Sequence, residues 1–475
     1  MSSYLRGSIG SAAVAAALAA ACGANPAPSI EPLSGSGASD ASAGTSPGES
    51  SSGSAGSPGG SASNGATSGA GGSSGGSSPG SSSSSSGSAA SSSGGSSGGA
   101  TSGGAMNAPA EVSGCGSTKL YAVPADPSVA GPWPVGVHTA MLSMTGGSRP
   151  VEIWYPAKLG SAAGQTAVTY DVEQYLPNGQ AAKIPASANK VASCDCYRDL
   201  PLDSTHGPYP AVIFLHGTGS FRTASLSTMV QWASRGFVVV ATDHAGLYLT
   251  DFLVTSSLGT CSGGTGVGYG SQNLSADVDA MITALTGASG DFAFLGAHVD
   301  MTRIGISGHS QGAQNAAQFA SKPHVAVDMP LADLGGTVPT ATSALKSVLV
   351  VGGTSDSVVA FSSDMSAYSG STAPIKRLVG ITGGDHLDVT DLCWETNSAG
   401  QTAIQAANQY GVCGVGLLDA LAKCGTLSPP TIGPQIVNYV TTAALEETLH
   451  CADRTAAFSG LVSKYPQVGT YDHSP

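Results

Sequence analysis

A serine hydroxyl is a poor nucleophile at neutral pH, and becomes a good one when a histidine takes its proton and an acid orients that histidine. The stretch IGISGHSQGA sets Ser310 between Gly308 and Gly312, two residues away on either side. G-x-S-x-G also occurs at several earlier serines, among them Ser46, Ser74 and Ser97, in a chain with 67 glycines, so the pattern alone selects nothing. Context does: the motif works where a buried strand ends in a sharp turn that opens a helix. Ser310 lies between the apolar run 303–307 and the helical stretch 311–319, whereas those three sit in Ser/Gly tracts.

The partners should follow in the order acid, then base, each just after a strand. Asp356 lies in a Gly-rich turn after the valine-rich run 347–351, 46 positions beyond Ser310. His386 lies in a Gly-Gly-Asp-His turn after the run 376–381. His244 is upstream of Ser310, His324 precedes a strand and His450 falls late in a helix, so His386 alone fits both order and place. Asp328, in HVAVDMP, is the second choice of acid. An oxyanion needs two N–H donors. One is the backbone N–H of Gln311 at the helix start, and the other is expected from the turn FLHGTGS, at Thr218 with Gly219 next. His216 there reads as a turn residue.

These turns need strands to carry them. The runs 135–143 and 149–155 alternate or stay apolar around Gly146-Gly147, which suggests an antiparallel opening. YPAVIFL (209–215) and FVVVAT (237–242) are short continuous apolar runs, as parallel strands covered on both faces require. Helical spacing appears at 225–234, 274–285, 311–319 and 434–449. The alternation predicts an α/β fold with a mostly parallel central sheet and helices on both faces.

Ahead of the folded part, residues 23–110 are almost wholly Ser, Gly, Ala and Pro. Such a segment has too little apolar surface to offset the entropy of ordering, and reads as a disordered tether with a span of roughly 50 Å. The first 21 residues have one positive charge at Arg6 and an apolar stretch too short to span a bilayer, as in a signal peptide. Leu18-Ala19-Ala20-Ala21-Cys22 resembles a bacterial lipobox, which makes Cys22 the expected lipid attachment point. The domain boundaries expected are 1–21, 22–112 and 113–475. Eight further cysteines in an exported chain point to disulfides, without indicating which pair. A metal site at Cys194 and Cys196 lacks a second ligand pair nearby. A net charge of −13 without any basic cluster argues against nucleic acid as a partner. No cofactor is expected, and the chain reads as a monomer.

YPAVIFLHGTGS, GISGHSQGA, VGGTSDSVV and GGDHLDV resemble blocks of bacterial serine hydrolases of the α/β-hydrolase superfamily. The similarity is to dienelactone-hydrolase-like esterases, platelet-activating-factor acetylhydrolase-like enzymes and polyester hydrolases or cutinases, and spans most of 133–449. The resemblance implies the α/β-hydrolase fold and metal-independent cleavage of carboxylic esters by Ser310, Asp356 and His386. Gln311 and Thr218 stand where the polyester hydrolases commonly have Met and an aromatic residue. Two insertions, 158–207 and 391–431, depart from the pattern; the second begins five residues after His386 and is either a lid or a stapled surface loop. The expected activity is that of an exported esterase, in the cell envelope or secreted, acting on small-molecule or polymeric esters of short to medium acyl chains. An amidase or peptidase with the same triad, and a binding module that keeps only the fold, remain the alternatives.

Overall fold

The computed structural model describes residues 108–474, apart from 117, 256–260, 262–263 and 422. The leader, Cys22 and the tether up to 107 lie outside the described residues. A short antiparallel pair, β1 (Glu111–Ser113) with β2 (Lys119–Tyr121), already begins inside the stretch expected to be linker.

The centre is a ten-stranded sheet. In chain order its members are β3 (Val135–Met144), β4 (Gly147–Pro156), β7 (Cys196–Arg198), β8 (Tyr209–Leu215), β9 (Val238–Thr242), β10 (Val299–His309), β11 (Val325–Leu331), β12 (Ser347–Gly353), β13 (Ile375–Ile381) and β14 (Val468–Ser474). They run across the sheet in the order β14-β13-β12-β11-β10-β8-β9-β4-β3-β7. From β13 through β9 all neighbours are parallel, while β4 joins β9 antiparallel and pairs with β3 in a hairpin. β14 closes the other edge antiparallel. A second small pair, β5 (Thr169–Asp171) with β6 (Val191–Ser193), lies in the first insertion.

Every residue of β8, β9 and β12 is buried, which is why these segments read as unbroken apolar runs. One face of the sheet packs Val212, Phe214 and Val239 against the helices Leu226–Ser234 and Ile432–Leu449. The other packs Ile213, Val240 and Ile306 against the helix Leu274–Gly287. A third apolar cluster stands apart from the sheet: Tyr175 from the first insertion, Phe221 from the turn after β8, Phe252 from the helix Leu249–Thr255, and Ala407, Val412 and Val415 from the second insertion.

The eight described cysteines form four disulfides: Cys115–Cys451, Cys194–Cys196, Cys261–Cys413 and Cys393–Cys424. The first joins the start of the folded part to the end of the long helix, and the third ties the second insertion to the loop after Leu249–Thr255. Cys194 and Cys196 pair with each other, so neither keeps a free thiolate for a metal.

The start of the folded part is also fixed by charge. Glu446 is fully buried and accepts from Arg235 Nε at 2.6 Å and from Arg454 Nε at 2.6 Å. The same Arg235, fully buried, donates to the carbonyls of Pro124 (2.7 Å) and Val129 (2.6 Å). Removing one partner of such a cluster strands a buried charge. Arg235→Ala is therefore expected to cost about 3–5 kcal/mol of unfolding free energy in urea denaturation; a loss below about 1 kcal/mol would contradict this account.

Candidate active site

The three candidate residues lie in turns at the carboxyl ends of the parallel strands. Ser310 follows the last residue of β10, and its backbone takes φ 57° and ψ −119°, a conformation that L-residues rarely adopt. Two close contacts force the turn. A Cβ on Gly308 would lie 2.4 Å from the Gly312 carbonyl carbon, and one on Gly312 would lie 2.2 Å from Leu215 O. Both glycines of the motif are thus needed so that the helix Gln311–Phe319 can start against β8. Ser46, Ser74 and Ser97 lie outside the described residues.

His386 is reached through the turn after β13, and Asp356 through the turn after β12. His386 Nδ1 lies 2.8 Å from Asp356 Oδ2. Asp356 Oδ1 accepts from the N–H groups of Val358 (2.8 Å) and Val359 (2.7 Å), so the carboxylate is held at both oxygens with its side chain fully buried. A carboxylate partner makes Nδ1 the donor and leaves Nε2 with a lone pair. Ser310 (7% exposed) and His386 (5%) line the same pocket.

Asp328, the second choice of acid, is elsewhere. It is fully buried within β11, and neither oxygen has a partner among the described residues. Burial pushes its pKa well above the usual carboxylate range, so it stays protonated and cannot polarise a histidine. Two of the rival histidines are held by other partners. His244 Nδ1 meets Asp277 at 3.0 Å, and buried His450 Nε2 donates to Gly236 O at 3.2 Å.

Of the two expected oxyanion donors, Gln311 heads its helix, where the first N–H groups have no intrahelical acceptor. In the turn after β8 the Gly219 N–H is committed to Leu247 O at 2.8 Å, which leaves Thr218 of the two named. Thr218 lines the pocket, and its Oγ1 is buried with no partner among the described residues. His216 holds this turn, donating from Nδ1 to Gly217 O (2.8 Å) and accepting from the His244 N–H at Nε2 (3.0 Å). Burial, with His244 beside it, pulls its pKa down to about 3, so the ring is neutral.

Two residues with no signature of their own in the sequence hold these turns together. His309 Nε2 donates to the His386 carbonyl at 2.9 Å; burial, with His386 next to it, brings its pKa down to about 3. Asp385 Oδ1 accepts from the N–H of Ser357 (2.7 Å) and of His386 (2.8 Å), linking the acid's turn to the base's. Only their neighbours' roles point to them.

Beneath these turns lies a second group of carboxylates, Asp333 and Asp364, with Asp328. Asp364 Oδ1 accepts from the Asp333 N–H at 3.0 Å, while its Oδ2 is buried without a partner among the described residues. Burial raises Asp364 to a pKa of about 8 and Asp333 to about 6. A raised carboxyl is neutral in the folded protein, so its contribution is complete below about pH 4 and is lost as pH climbs towards 8. The Tm of the wild type is expected to fall between pH 5 and pH 8, and to fall less in Asp364→Asn, whose amide has no proton to lose. Parallel Tm–pH curves would contradict this assignment.

Both insertions line the pocket: the first supplies Leu176 and Ile184, and the second Ile404, Val415 and Leu418. They are tied to one another, since Lys183 Nζ donates to Gly411 O (2.7 Å) and Asn397 Nδ2 to Ala188 O (2.9 Å). The second insertion is thus a wall of the pocket rather than a remote surface loop.

The family of Platelet-activating factor acetylhydrolase, isoform II, matches residues 123–247. That stretch holds β3 to β9 and the Thr218 turn and ends before Ser310. No curated protein matches the chain. By its sheet order and its strand-to-helix serine turn the chain has the α/β-hydrolase fold, and over residues 123–247 it is similar to the platelet-activating-factor acetylhydrolases of isoform II.

Proposed function

We propose that the protein is a serine hydrolase of carboxylic esters that works through an acyl-enzyme. The observation that carries this reading is the His386–Asp356 hydrogen bond at a pocket that Ser310 also lines. His386 Nε2 takes the Ser310 proton as Oγ attacks the ester carbonyl. The resulting oxyanion is met by the Gln311 N–H and by Thr218. His386 then gives its proton to the departing alkoxide, and the acyl group stays on Ser310. A water, deprotonated by the same nitrogen, attacks the acyl carbon, and the carboxylic acid leaves as Ser310 regains its proton.

The apolar lining favours esters with aliphatic chains over small polar ones. Export fits the four disulfides, which persist in oxidising compartments, and fits the leader with its lipobox-like Cys22. No helix among the described residues is long and apolar enough to cross a membrane. The test of activity is a p-nitrophenyl ester series from acetate to palmitate: saturable turnover is expected on the short and medium chains. If the folded protein cleaves no ester but cleaves matched anilides, the amidase alternative replaces this reading.

A further inference from the structure

The pocket beside Ser310 is not apolar throughout. Its body is formed by such side chains as Val172, Leu176, Leu392 and Ile404, yet the first insertion also places Glu173, Asn189 and Lys190 in its lining. Glu173 and Asn189 are held side by side by one oxygen: Asp171 Oδ1 accepts from the Glu173 N–H at 2.9 Å and from Asn189 Nδ2 at 3.0 Å. That leaves two acceptors, Glu173 Oε1 and Asn189 Oδ1, both buried and both without a partner among the described residues. The Lys190 ammonium likewise makes no hydrogen bond or ion pair among them.

Two unpartnered acceptors in one pocket wall are unfavourable, and a bound donor removes that penalty. The charges around them select which donor. A ligand carboxylate is repelled by Glu173 and the adjacent Asp171, while an ammonium can pair with them but sets a like charge against Lys190 and offers it no acceptor. A neutral hydroxyl meets neither objection: it donates to Glu173 or Asn189 and accepts from Lys190. These residues stand on the insertion, not on the strands that carry Ser310, so the hydroxyl belongs away from the scissile bond with apolar chain between.

We infer that the pocket selects esters whose apolar chain carries a hydroxyl remote from the ester carbonyl. The inference rests on the ester-hydrolase reading and adds a substrate class to it. The test uses p-nitrophenyl alkanoates from butanoate to decanoate, each paired with its ω-hydroxy counterpart, and reads the ratio of kcat/KM within each pair. The wild type is expected to prefer the hydroxy ester by about tenfold at one or more lengths, the worth of one charge-assisted hydrogen bond. In Glu173→Leu/Asn189→Leu, and in each single variant if the double one unfolds, that ratio should fall to about one or below, whatever the absolute rate.

A wild type that prefers the plain ester at every length overturns the inference but leaves the esterase reading standing. So does a hydroxy preference that survives both substitutions. If no ester of either kind is cleaved, the esterase reading itself fails and the inference falls with it.

Discussion

Ser310→Ala is expected to lower kcat for ester hydrolysis by on the order of 10⁶ while leaving the protein folded. The size follows from role: without Oγ there is no acyl-enzyme, and the remaining pocket only binds. Folding should survive because alanine takes over the same backbone turn at φ 57°, and because the contacts that force that turn come from Gly308 and Gly312. The measurement is kcat beside the Tm and the near-UV circular dichroism of both proteins. Residual activity above about one hundredth of the wild type, in a preparation free of it, would remove Ser310 from the mechanism.

Asp356→Asn is expected to cost about 10⁴ in kcat, with little change in fold. The amide oxygen can keep the bonds from the Val358 and Val359 N–H groups, which places the NH₂ against His386 Nδ1. That nitrogen must then accept, which moves the ring proton to Nε2, where Ser310 needs a lone pair. The base is present but in the wrong tautomer. Asp328→Asn serves as the contrast: an acid already held neutral within β11 supports no histidine, so kcat should stay within a few-fold of wild type. If Asp328→Asn proved the more damaging of the two, the assignment of the acid would be reversed.

Much of this was legible in the sequence because the parallel strands are buried on both faces. β8, β9 and β12 show as unbroken apolar runs, and glycine turns mark the ends of β8, β12 and β13, where Thr218, Asp356 and His386 sit. Ser310 needed one further step, the strand-to-helix context, to separate it from its look-alikes.

The parts that were not legible depend on pairings far apart in the chain. β14 at the edge, Val468–Ser474, is half exposed and carries Asp472 and His473, so its composition hides a strand that β13 holds in place. Asp385 looks like one more turn residue until Ser357 is seen bonded to it. The pairing of the cysteines could not be read at all, because Cys115 and Cys451 meet across 336 positions and only the packed fold brings them together. Nor does either insertion reveal by its own sequence that it shares an apolar cluster with Phe221 and Phe252 above the pocket.

The central claim is that ester cleavage passes through an acyl group on Ser310. It is tested most directly by mixing the protein with excess p-nitrophenyl ester, quenching in acid within the first turnover, and digesting it for mass spectrometry. The account predicts that the acyl mass appears on the peptide containing Ser310 in the wild type, accumulates in Asp356→Asn if deacylation is the slower step, and is absent from Ser310→Ala. Acylation of a different residue, or hydrolysis at the wild-type rate by a protein whose Ser310 has been blocked, would contradict it.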